Sequence, residues 1–199
     1  QLRARLRDYY TSKELFEPLA ALHIVDAAHA TSPAERFTNL RRAAEIYLYN
    51  VGSPEAATGP AQQALAVFPE DHALAMLLVD VLIASGKTDE AATTLEASIN
   101  AHKKRTPELA ALQQRMGRVC GALGDKEAQL GWLKKAFDVD RKSSEIAAEL
   151  AQLATEAGDY ELALKPLRAI ALMENPQPVT RPMALLWEAK IENARGNRA

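Results

Sequence analysis

A single cysteine, Cys120, stands in a chain of 199 residues, so no disulfide framework holds the fold together. One unpaired thiol fits a reducing compartment and favours the cytoplasm over the periplasm. An excess of positive charge is also missing. The formal net charge is -2, which leaves no electrostatic footprint for nucleic acid. No apolar run approaches the roughly 18 residues of a membrane span. The opening stretch, QLRARLRDYY, has no signal-peptide core. It does not start with methionine, so the expectation is a fragment or a processed chain.

Catalytic and metal-binding patterns are absent as well. His23, His29, His72 and His102 stand singly in different segments, and no Cys/His or carboxylate cluster has ligand spacing. No serine or cysteine sits in a nucleophile motif. The stretch GRVCGALGD, residues 117–125, has the glycines of a phosphate loop. Such a loop needs a preceding strand and a following Lys-Ser/Thr, and neither is there. The densest basic run, HKKR at 102–105, lies at an expected helix end, where cations favour the dipole and stay solvated. The reading is therefore no enzyme, no cofactor and no metal.

What is present is helix. Alternating β-branched runs are lacking, while Ala, Leu, Glu, Lys, Arg and Gln fill every long segment. Apolar residues recur three and four apart, as in Leu74, Leu77, Leu78, Val81 and Leu82. Ser32-Pro33 with Glu35, and Thr11 with Glu14, read as capping boxes; Ser53-Pro54 and Thr106-Pro107 read as cap and first turn. Eleven helices are expected, over 2–10, 13–29, 33–50, 54–68, 72–84, 88–103, 107–122, 126–139, 144–157, 160–174 and 181–195. Glycines 52, 86, 124, 158 and 196 follow one another at 34, 38, 34 and 38 residues. The stretches SGKTDEA, LGDKEAQ and AGDYELA superpose around three of them. Glycine there permits the left-handed turn that ends one helix, and Thr88, Asp125 or Asp159 caps the next. Pro18, Pro60 and Pro166 fall inside expected second helices, which suggests a tolerated outer-layer position or a later helix start.

With these residues in place the chain resembles the tetratricopeptide repeats. Leu40, Ala43, Ala44, Tyr47, Ala57, Ala64 and Pro69 match one repeat. Leu78, Val79, Leu82, Ala91 and Leu95 match the next. Met116, Gly117, Cys120, Leu133 and Ala136 follow, then Leu150, Ala151, Ala154, Ala163 and Leu167. Gln129 stands where alanine is usual, Ala61 replaces a bulky residue, and the hairpin at 2–29 is recognisable only by spacing. The resemblance makes Gly117 the small residue at the hairpin crossing and Cys120 a buried apolar thiol. Its implied fold is all-α: a right-handed superhelical solenoid of about five antiparallel hairpins plus one final helix. The boundaries are a degenerate hairpin at 2–29, repeats at 33–69, 72–105, 107–141 and 144–176, and the first helix of a further repeat at 181–199. The expected context is a longer array of bacterial type.

The resemblance implies binding of a protein or peptide along a concave groove lined by first helices, in a scaffold or adaptor. Carried onto this chain, the lining is Arg41, Glu45, Tyr49, Met76, Asp80, Ile83, Gln114, Arg115, Arg118, Glu145, Glu149 and Gln152. Reversing Arg115 and Arg118 is expected to weaken a partner without loss of stability. The alternative is a regulatory or substrate-docking arm of a larger enzyme whose catalytic domain lies elsewhere. No nucleic acid and no membrane span are expected. Leu185, Leu186, Trp187 and Ile191 are expected to form an exposed patch open to self-association, covered by a further helix after Ala199.

Overall fold

Ser32 shows how the helices begin. Its hydroxyl accepts from the Glu35 N–H at 3.1 Å, and a Glu35 carboxylate oxygen accepts from the Thr31 N–H at 3.1 Å. One donor that the first turn leaves open is thereby satisfied, and the chain just before the cap is tied back to the helix. Asp71, Thr106, Asp125, Ser143 and Asp159 cap their helices in the same way. At the other ends, Gly86, Gly124 and Gly158 take φ of 73°, 84° and 75°. The next N–H then reaches a carbonyl five residues back: Lys87 to Leu82 at 2.8 Å, Asp125 to Cys120 at 2.9 Å, Asp159 to Ala154 at 2.9 Å. Any side chain would be strained at that backbone angle, which is why the repeat is written in glycine.

The computed structural model describes residues 2–196, and these are helical with no strand among them. In order come α1 (Leu2–Ser12), α2 (Phe16–Ala28), α3 (Pro33–Glu45), α4 (Pro54–Val67), α5 (His72–Ala84) and α6 (Thr88–Ala101). After them come α7 (Pro107–Ala122), α8 (Lys126–Val139), α9 (Ser144–Glu156), α10 (Tyr160–Leu172) and α11 (Arg181–Ala194). Between α3 and α4 the helix widens into a π turn, Ile46–Val51, closed by Gly52 at φ 71°. The chain forms two compact units, the first ending at His102 and the second beginning at Lys103.

The first unit holds three hairpins. Leu40, Ala43 and Ala44 of α3 and Ala57, Ala61 and Ala64 of α4 are all buried, so small side chains set the approach of this pair. Helix α5 is apolar nearly all round, with Leu74, Ala75, Leu77, Leu78, Val79, Val81 and Leu82 buried. A helix of that kind must be covered on several sides, and α5 packs on both α4 and α6. Helix α1 has no buried residue. It is held by charge and by one partly buried ring: Arg3 and Arg7, one turn apart, each reach the buried carboxylate of Asp26 at 3.2 Å, and Tyr10 packs on the cluster of Leu19, Ala20 and Ile46.

The second unit holds two hairpins and α11. At the α7–α8 crossing, a Cβ on Gly117 would stand 3.2 Å from the Gln129 carbonyl oxygen and 3.2 Å from Leu133 Cγ. A Cβ on Gly121 would stand 2.6 Å from the Gln129 side chain. Gly121 is therefore the counterpart of Gln129, the residue that departs from the usual alanine. Cys120 lies on the same helix and is buried at 8% exposure.

Several expectations are corrected. Thr11 lies inside α1, Glu14 turns left-handed at φ 54°, and α2 starts at Phe16, so the Thr11–Glu14 box does not form. Ser53 makes no side-chain cap bond, and Thr88 opens α6 rather than capping it. The expected 33–50 helix is α3 plus the π turn. Pro60 and Pro166 are buried, not on an outer layer, whereas Pro18 falls in the first turn of the late-starting α2. In α11, Ile191 is buried at 2% exposure and Trp187 packs on the second unit's core, so the expected patch shrinks to Leu185 and Leu186, at 54% and 59%. Residues 197–199 of the final GNRA lie outside the described residues, while Gly196 turns at φ 81° like the earlier glycines.

Three outcomes check this packing. Gly117→Ala should destabilise by about 1 kcal/mol, because overpacking against a backbone carbonyl exceeds the gain in helix propensity. Gly121→Ala added to Gln129→Ala should stabilise by about 1 kcal/mol, the propensity gain alone, as read from urea unfolding. Cys120 should react with a thiol reagent slowly until denaturant opens α7.

Candidate functional site

In the first unit the candidate residues lie on α3, the π turn and α5. Arg41 Nε donates to Glu45 at 3.0 Å, and Arg42 reaches the same carboxylate at 3.3 Å, so this charge is settled within one helix. Tyr49 and Ile83 occupy one repeat position, three residues before Gly52 and Gly86. Both are open to solvent, Tyr49 at 67% and Ile83 at 38% exposure. Met76 and Asp80 are half-buried beside the α5 core. The π turn decides Tyr49's position. It inserts extra backbone just before the glycine, and Ile46 is buried while Tyr49 is exposed.

In the second unit the candidates are drawn together by charge. The Arg118 guanidinium donates to Glu149 at 2.8 Å and to Glu145 at 2.9 Å. Gln114 Nε2 donates to Glu149 at 2.7 Å. The hydrogen bond to Glu149 above all holds Arg118 above the ordinary arginine range; burial opposes it, and the hydrogen bond to Glu145 adds a smaller upward effect. A basic first helix, α7, is thus matched to an acidic one, α9, and their charges cancel. Gln152 is turned to its own helix, donating to Glu156 at 3.0 Å. Arg115 is half-buried, three residues before Arg118 on α7.

Position by position, Gln114, Arg118, Glu145 and Glu149 of the second unit's candidates are linked into one network, with Arg115 and Gln152 beside it. Those of the first unit present two apolar side chains and an internally paired arginine. Sequence reasoning missed the pairing, although Arg118 and Glu149 stand at matching heights on consecutive first helices. It also missed a second network, in which Arg168 of α10 donates to Glu188 of α11 at 2.7 Å and meets Glu192 at 3.4 Å. The Glu188 hydrogen bond raises the Arg168 pKa from its ordinary value. Among the described residues, no group of His, Cys, Asp and Glu could hold a metal, and no helix is long and apolar enough to cross a membrane.

Residues 51–116 match the family model of the tetratricopeptide repeat. Solved structures agree on the fold. The Pseudomonas aeruginosa pilF structure is 16% identical with a TM-score of 0.63, covering 100% of this chain and 88% of that one. YrrB, a tetratricopeptide repeat protein with an unusual peptide-binding site, is 17% identical with a TM-score of 0.56, covering 80% of this chain and 78% of its own. The putative kinesin light chain repeats of Podosopora anserina are 20% identical with a TM-score of 0.59, covering 85% and 90%. No curated protein matches. Residues 51–116 thus carry a tetratricopeptide repeat, and the fold of the chain is that of the tetratricopeptide repeat proteins it resembles. The repeat matched over residues 51–116 supports a general protein–protein interaction role, and proteins of such repeats are typically non-catalytic scaffolds.

The Arg118 network makes a stability prediction that replaces the earlier expectation for this residue. Its side chain is 43% exposed, so water screens the pair and the effect is modest. Arg118→Glu places three carboxylates together and should lower stability by roughly 1–2 kcal/mol, or about 3–6 °C in Tm. Adding Glu149→Arg should recover part of the loss, and 1 M salt should shrink the difference.

Proposed function

We propose that the chain is a scaffold or adaptor that binds a protein or peptide segment through first-helix side chains. In the first unit, Tyr49 and Ile83 act as anchors, with Arg41, Glu45, Met76 and Asp80 around them. The observation that carries this reading is the exposure of two large apolar side chains at one repeat position. Such side chains contribute most to binding when a partner removes them from water. Glu45 is bound by Arg41 and Arg42, a trio of net charge +1 whose members are already paired, so the anchors offer a partner little unpaired charge. That favours a partner read mainly by apolar contact over one read by charge.

In the second unit, Gln114, Arg115, Arg118, Glu145, Glu149 and Gln152 form the corresponding surface. Because Arg118 is already saturated by two carboxylates, an anionic partner group gains little there. This surface is suited to contact by groups that leave the network intact. The same cancellation argues against a clamp for a terminal carboxylate.

The test is affinity capture with the intact chain, compared with Tyr49→Ala/Ile83→Asp and with an off-face control, Glu96→Ala/Glu127→Ala. Both residue pairs are exposed or partly exposed, so each variant should keep its Tm within about 1 °C, as surface changes usually do. A specific partner should fall at least tenfold in yield with the first variant and be retained by the control. Equal capture by all three would remove Tyr49 and Ile83 from the binding surface.

A further inference from the structure

A cleft of about 430 Å³ lies in the second unit between α8 and α10. Lys134, Phe137 and Asp138 line it from α8, Arg141 from the loop that follows, and Leu162 and Lys165 from α10. None of its lining comes from α7 or α9, which carry the Arg118 network. It is therefore distinct from the first-helix surface, and its occupancy does not depend on the reading given for that surface.

The floor is apolar. Phe137 is buried at 7% exposure and is part of the core, and Leu162 packs against that core from the rim. The rim is charged, with three cations and one acid. The acid is already used: Arg141 reaches Asp138 Oδ1 at 3.2 Å, and Arg105 donates to the Asp138 backbone carbonyl at 2.7 Å. Lys134 and Lys165 are both exposed, one on each wall, and neither pairs with a carboxylate among the described residues. Two uncompensated ammonium groups thus face each other across an apolar floor.

On the α8 wall, Lys134, Phe137 and Asp138 are spaced i, i+3, i+4 along one face of the helix, and Arg141 extends the row from the loop beyond Val139. A row with cations at both ends and an aromatic between them suits a short amphipathic helix. A volume of this size is also in the range of small binding clefts. Charge complementarity selects the occupant. The unpaired groups are all positive, so a basic segment is repelled and an acidic one is attracted.

We infer that the α8–α10 cleft binds an acidic amphipathic peptide segment of a partner protein. Its leucine-like side chains, three or four apart, cover Phe137 and Leu162, and its flanking carboxylates pair with Lys134 and Lys165. Docking of this kind follows the helix-in-groove mode, in which apolar anchors supply affinity and end charges fix register.

Fluorescence anisotropy with the full chain tests this. The probe is a fluorescein-labelled peptide with three leucines at i, i+3 and i+4 between pairs of glutamates. Its counterpart has lysine for every glutamate. The acidic probe should bind with a Kd on the order of 10–100 μM at low salt. Lys134→Glu/Lys165→Glu should weaken it by roughly tenfold or more with Tm unchanged, and the lysine probe should not bind. Four outcomes would overturn the inference: no binding of the acidic probe up to about 1 mM, equal affinity for the two probes, affinity indifferent to the lysine reversal, or decanoate competing as well as unlabelled peptide. A chain dimer that dissociates on the same reversal would assign the cleft to a second copy, and so would overturn it too.

Discussion

Everything in this chain depends on how closely two antiparallel helices can approach. A hairpin of two short helices buries little, and its backbones come together only where the crossing residue is small. In the α3–α4 hairpin alanines from both helices supply that crossing. In the α7–α8 hairpin Gly117 does, with a carbonyl and a leucine already at the limit of contact. The close approach lets Leu133 and Ala136 become fully buried, and on that layer α9 and α10 add Leu150, Leu167 and Ile170. The glycine that weakens its own helix strengthens the pair of helices.

The second constraint is electrostatic. The first helices α7 and α9 stand beside one another, so their charges interact whether or not a ligand is present. In the second unit this produces a closed network, Gln114–Glu149–Arg118–Glu145, which ties α7 to α9. Charges paired this way are poorly available to a partner, since any new contact must first replace an existing one. The groups that the fold leaves unmatched are Tyr49 and Ile83 in the first unit and Lys134 and Lys165 in the second, the side chains proposed above to meet a partner. The same logic explains Asp26. A buried carboxylate on α2 would be costly alone, and the two arginines of α1 turn it into the anchor of an otherwise unburied helix.

Most of the fold was legible in the residues because its signals are local. The left-handed glycines, the Asp and Ser caps and the three-four apolar spacing each act within a turn or two, and the helices fall within a few residues of their expected limits. The errors also have local causes. Thr11 and Glu14 have the spacing of a capping box, but α1 continues through Thr11. Ser53 and Thr88 have the right chemistry, yet the backbone takes another course there. Nothing local distinguishes the π turn from the end of an α-helix, because its six residues are ordinary helix formers and aromatics.

The candidate site was less legible, for a physical reason. A repeat pattern tells which residues sit on first helices, and so placed Arg118, Glu145 and Glu149 on the same kind of surface. Whether such charges face a ligand or each other depends on distances between residues some thirty positions apart, which only packing fixes. Burial has the same origin: Trp187 and Ile191 look as exposed as Leu185 and Leu186 along the chain, and only α10 separates the covered pair from the open one. The sequence by itself determined the helices, their ends, the repeat and the small residues at the crossings, since backbone sterics and hydrogen bonding act over a few residues. The tertiary structure alone decided which charges are satisfied, which apolar side chains stay in water and where a cleft opens, since those depend on what each neighbouring helix brings alongside.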